Sequence, residues 1–201
     1  MKTPGIVSVA LCVVLMVGCI TSLHPLYTAE DLIFSPDLVG CWSEDDSKET
    51  WEFSKEGEKE YRLVCTGKDG KTGTFVVHLL KIKGKMFLDL FPSEPDWKET
   101  AFYQLHLLPV HSFIYVKQVK PTLQMSMPDG GWLEKLIEGS PGAIRHEKIE
   151  DRIVLTASTK ELQAFFLKHL ATEDAFGELC DMKRRQVTAE QPKKANAGGG
   201  Q

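Results

Sequence analysis

The chain has 201 residues, 42% of them hydrophobic, with a formal net charge of −4. That acidic balance excludes a general nucleic-acid binder, which needs a basic face against phosphate. Five cysteines, an odd number, exclude a closed disulfide framework, and the length suits one domain with a self-sufficient core.

The chain starts Met-Lys-Thr-Pro-Gly, with its one positive charge at Lys2, and an apolar run follows from Ile6 to Val17. A basic start, a short apolar stretch and small residues at a cut site mark residues 1–18 as a secretory signal. The run is shorter than the roughly 20 apolar residues that a spanning helix takes. Met16-Val17-Gly18-Cys19 resembles the lipobox of bacterial lipoproteins, with Met16 where Leu is usual. The resemblance implies cleavage before Cys19, diacylglycerol on its sulfur and an acyl chain such as palmitate on its new amine. The membrane is then a partner through that lipid. Each buried methylene contributes about 0.8 kcal/mol, so two or three chains hold firmly where one holds marginally. Ile20, not Asp, follows the cysteine. In a host with two membranes, that resembles a lipoprotein held at the periplasmic face of the outer membrane.

Cys12 leaves with the signal and Cys19 carries lipid, so Cys41, Cys65 and Cys180 remain. Strand parity speaks against a Cys41–Cys65 bridge. Cys41 neighbours an inward Trp42 and faces out, whereas Cys65 shares a face with Tyr61 and Leu63 and faces in.

Residues 19–37 read as a lipidated spacer, partly packed on the body through Leu26, Tyr27, Leu32, Ile33 and Phe34. Short strand-like segments then cover 38–43, 49–53 and 60–66, the second alternating Trp51 and Phe53 around Glu52. Asp69-Gly70 tolerates positive φ and predicts a tight turn into the β-branched run 73–82. Lys83-Gly84-Lys85 turns that run into 86–91. After the break from Pro92 to Pro95 come strands at 101–108, 111–119 and 122–127. A short helix is predicted over 131–138, and 144–157 returns to strand with a turn at Glu150-Asp151. Ser158 and Glu161 form a capping box ahead of a helix whose stripe is Leu162, Phe165, Phe166 and Leu170. Residues 38–181 thus form a single β-rich domain. Its fold class is mostly β: an antiparallel meander or a curled lipocalin-like barrel, with a C-terminal amphipathic helix packed on it. Residues 182–201, with Lys183, Arg184, Arg185, Lys193 and Lys194, are too polar to bury surface and read as a disordered basic tail.

Gly40-Cys41-Trp42 resembles the Gly-x-Trp motif of lipocalin-like (calycin) barrels. The resemblance implies that Trp42 packs at a closed barrel end against an arginine from a late strand, and Arg152 is the candidate on the last predicted strand. The stretch from Leu23-His24-Pro25-Leu26-Tyr27 through Trp42 is also similar to bacterial lipoproteins that have no assigned activity.

No motif for catalysis, phosphate binding or a cofactor is present, and the reading is of a protein that is not an enzyme. His106 and His111 flank a short apolar turn and could meet on a metal, but the expectation is paired surface or core histidines and no metal site. Glu44-Asp45-Asp46 and Glu94 with Asp96 read as solvated acidic loops. Two functions follow from different classes. A curled sheet with inward aromatics can hold a small apolar ligand or lipid. Its candidate lining is Trp51, Phe53, Tyr61, Phe75 and Val77, joined by Phe87, Phe113 and Tyr115. The alternative is a non-catalytic envelope adaptor that docks a protein partner through its acidic loops, Trp97 and Trp132.

Overall fold

A computed structural model describes residues 20–93 and 100–185. The expected signal, Cys19, Glu94, Asp96, Trp97 and the far tail lie outside these described residues. The chain opens with β1 (Thr21–Ser22), β2 (Leu32–Ile33) and a 3-10 turn over Pro36–Leu38. β3 (Gly40–Ser43), β4 (Thr50–Lys55), β5 (Tyr61–Thr66), β6 (Thr72–Ile82) and β7 (Lys85–Pro92) follow. Next come α1 (Ala101–Gln104), β8 (His111–Gln118), β9 (Leu123–Ser126) and α2 (Gly130–Gly139). β10 (His146–Ile149), β11 (Arg152–Leu155), α3 (Thr159–His169) and β12 (Cys180–Arg185) complete the order.

Each strand from β3 to β9 pairs antiparallel with the next, and β12 lies between β9 and β3. The result is a closed barrel of eight antiparallel strands. Closure removes the unpaired edges that an open meander leaves. Local chemistry supports the hairpins. Lys83 and Gly84 both adopt positive φ, 46° and 81°, as a two-residue turn with the twist of its strands requires.

β6, β7 and β8 are buried on both faces. Leu79, Leu88, Leu90 and Ile114 point into the barrel, whereas Leu80, Phe87 and Phe113 point out beneath α2 and α3. The outer core also takes Leu133 and Ile137 from α2 and Leu162, Phe165 and Phe166 from α3. Two covered faces explain why β7 reads as an almost unbroken apolar run rather than an alternating one. The lead-in is part of the structure. β1 inserts between β8 and β11, pairing antiparallel with the first and parallel with the second, and β2 pairs with β6.

Three local expectations are corrected. Residues 101–104 are helical rather than extended, because the Thr100 side chain accepts from the Tyr103 N–H and caps the turn. Met182 to Arg185 are not tail: they belong to β12, where Met182 is buried and Arg184 pairs with Trp42 across the register. Trp132 is not an exposed docking residue, since it is half-buried against Phe165 and His169. Cys41 and Cys65 are free thiols, and Cys65 packs on the barrel core.

One barrel end is sealed. Leu38 of the 3-10 turn is fully buried, and the Trp42 indole N–H donates to its carbonyl at 2.8 Å. The guanidinium over the Trp42 ring, 4.8 Å from its centroid, belongs to Arg184 and not to Arg152. Arg152 begins β11, outside the barrel, and is exposed. Arg184 donates to the carbonyls of Val39 at 2.8 Å and Asp37 at 2.6 Å. It thereby ties the last strand to the turn that precedes the first.

Candidate functional site

The opposite end is where β3, β5, β7 and β9 finish and β4, β6, β8 and β12 begin. Trp51, Cys65 and Phe75 lie there half-buried on the barrel core, above the fully buried Phe53, Tyr61 and Val77. Burial pushes the Cys65 thiol up to about 12. The register aligns Trp42, Trp51 and Cys65, and separately Phe53, Leu63 and Phe75, so these side chains share the interior face. Tyr61 is doubly fixed. Its hydroxyl accepts from Ser35 N–H at 2.6 Å and donates to Ser35 carbonyl at 3.1 Å, and its ring stacks on Phe34. Around α1, beside this end, Phe102, Leu105 and Leu108 are 72%, 80% and 71% exposed.

The predicted lining is therefore divided. Trp51, Phe53, Tyr61, Phe75 and Val77 belong to the barrel interior. Phe87, Phe113 and Tyr115 belong to the outer core. Phe87 and Phe113 share a face because Asp89 lies opposite Phe113 and Phe87 opposite Tyr115, which puts all four on the odd-numbered side away from the barrel.

That outer face holds a buried polar centre which the sequence reading missed. Asp89, 1% exposed, accepts from the Leu26 N–H at 2.7 Å through one oxygen and meets His111 Nδ1 at 2.6 Å through the other. Phe91 packs on the His111 ring. His78 lies opposite Asp89, stacked on Tyr27 and 3.5 Å from Glu60. Burial lowers the His78 imidazole, against the pull of Glu60 and Asp89. Burial and the same two carboxylates raise the Tyr27 phenol. The one available signal was a lone carboxylate inside Met86-Phe87-Leu88-Asp89-Leu90-Phe91, since a buried Asp needs a partner. An Asp–His pair can orient a general base, but both Asp89 oxygens are occupied and no nucleophile is bonded to His111 among the described residues. His106 packs on Phe102 instead of joining His111. Among the described residues, no three His, Cys, Asp or Glu side chains converge as a metal site would require.

A second concavity lies outside the barrel. A groove of about 620 Å³ runs between the β6–β7 hairpin and α3. Its walls include Lys83, Lys85 and Lys168, with Tyr115, Leu167 and Leu170 as apolar surface. None of the three lysines is paired with a carboxylate among the described residues. Among the described residues, no helix is long and apolar enough to cross a membrane. No protein-family model, curated protein or solved structure matches the chain.

Proposed function

We propose that the chain is a membrane-anchored envelope lipoprotein, held by lipid on Cys19, whose calycin-like barrel binds a small hydrophobic ligand or lipid. The observation that carries this reading is the asymmetry of the barrel ends. One is sealed by Trp42, Arg184 and the 3-10 turn. The other presents half-buried Trp51, Cys65 and Phe75. An apolar barrel interior with one closed end and one half-exposed end is the usual form of a barrel ligand site. A non-catalytic role agrees with the use of Asp89 and His111 to fasten the lead-in. In a host with two membranes, the placement is the periplasmic face of the outer one.

Native mass spectrometry after incubation with lipids from the producing cell tests the reading. A ligand mass that leaves on denaturation, with a change in Trp fluorescence that Trp51→Phe removes, is the expected result. A clean apo mass with unchanged fluorescence would sink it. A second reading, an envelope adaptor, is supported by the exposed Phe102, Leu105 and Leu108. Under it, charging those three positions abolishes partner capture and leaves lipid binding intact.

A further inference from the structure

We infer that the face carrying Lys83, Lys85 and Lys168 lies against the membrane, and that its groove takes the anionic headgroup of a phospholipid in that membrane. The inference rests on the reading of Cys19 as the anchor and adds the orientation of the body and the lipid class it contacts.

Strand polarity carries the first half. β1 runs antiparallel to β8, with Ser22 opposite His111 and Thr21 opposite Ser112. Followed back towards its start, the chain therefore travels along β8 in the direction of Tyr115, the residue of β8 that lines the groove. Ile20 is buried in the outer core, only 6% exposed. Cys19 is the next residue, and one peptide step is about 3.8 Å. From Thr21, opposite Ser112, the backbone is thus directed along β8 towards Tyr115 and the groove rather than towards the start of β8.

The chemistry of that side carries the second half. Three ammonium groups ring the groove without carboxylate partners among the described residues. Tyr115, Leu167 and Leu170 supply apolar surface between them. Basic heads over an apolar floor match a headgroup phosphate joined to glycerol and acyl chains. A soluble anion would leave the apolar wall unused, and a second copy would bring like charge to like charge. The turn that carries Lys83 is itself fixed, with Lys83 and Gly84 both at positive φ.

The test uses the full processed chain, purified in neutral detergent and reconstituted into vesicles of phosphatidylcholine alone or mixed with phosphatidylglycerol. Amine acylation is then mapped by mass spectrometry. Lys83, Lys85 and Lys168 are expected to label at least about fivefold more slowly on the anionic vesicles, the factor for one ammonium at an anionic surface. Lys71, at the mouth end, keeps its rate. The triple variant Lys83→Glu, Lys85→Glu, Lys168→Glu is expected to lose retained phosphatidylglycerol in native spectra by about tenfold or more. Equal labelling on both vesicles overturns the proposal, as does equal protection by inorganic phosphate alone. The intact mass in the same run reports the anchor separately. Protected lysines with an unmodified Cys19 support the lipid face and remove the anchor. A lipidated Cys19 with unprotected lysines keeps the anchor and overturns the face.

Discussion

Replacing Gly40 by Ala probes the sealed end of the barrel more sharply than removing any large side chain there. Gly40 has φ of 139°, and a Cβ on it would lie 2.7 Å from Arg184 Nη1. Backbone strain in that region, where side chains are rarely found, costs about 1–3 kcal/mol. Relieving the clash requires Arg184 to leave the Val39 and Asp37 carbonyls and the Trp42 ring. For a solvent-facing arginine, those contacts contribute about 1–2 kcal/mol together. The sum is about 2–5 kcal/mol. For a domain of this size, that lowers Tm by on the order of 10 °C. Gly84 is the internal control, because it has φ of 81° and nothing within 4 Å of its Cβ position. Gly84→Ala should cost only the left-handed penalty, about 1–2 kcal/mol. Urea unfolding of both variants, with Gly40→Ala repeated in an Arg184→Ala background, separates the two parts. In that background the Gly40 cost should fall to the backbone strain alone. Equal costs at Gly40 and Gly84, or a Gly40 cost unchanged by removing Arg184, would refute the argument.

Three more outcomes follow from the geometry. Asp89→Leu strands the Leu26 N–H and the His111 ring, and should destabilise by about 3 kcal/mol or more in urea unfolding, with new proteolytic cuts in the lead-in. Uncut chain of normal stability would show that the pair fastens nothing. Glu161 is held down to about 2 by the Ser158 side chain and Arg145. Its contribution is present above the ordinary carboxylate value of 4.5 and is lost as pH falls towards 2. Thermal melts of Glu161→Gln should therefore differ from the parent at neutral pH and converge with it in acid. Burial raises the Cys65 thiol from 9.0 to about 12. Its contribution to stability is accordingly full below pH 9.0 and is lost as pH rises from there towards about 12. Native Cys65 should also resist alkylation at pH 8 under conditions that label it in urea; equal rates would place it in solvent.

Strand periodicity made the barrel legible. Trp51 and Phe53 alternate about Glu52, Asp69-Gly70 marks a turn, and Gly40-Cys41-Trp42 marks the first barrel strand. What stayed hidden depended on partners distant in sequence. Arg184 stands in a run of charges whose single apolar member, Met182, gives too little period to announce a strand. Its role appears only when β12 pairs with β3. In β7, parity could not say which of Phe87 and Leu88 faces the barrel, because both faces are covered. The pattern therefore predicts one inward set where the structure has two. The Asp89–His111 pair joins residues on different strands, and no spacing in the chain foretells that contact. The lysine groove combines a hairpin with a helix that follows it by many residues, and neither half is unusual alone.

The three strands β6, β7 and β8 serve the barrel with one set of side chains and the helical layer with the other. They act as a party wall, and neither room can be rebuilt without disturbing its neighbour. Tyr115 and Val116 are consecutive residues of β8, one beside the lysine groove and one inside the barrel. A guest that spread the barrel at Val116 would move the backbone that also carries Tyr115. Were both proposed sites filled, a single layer of backbone would join occupancy within the barrel to contact at the groove.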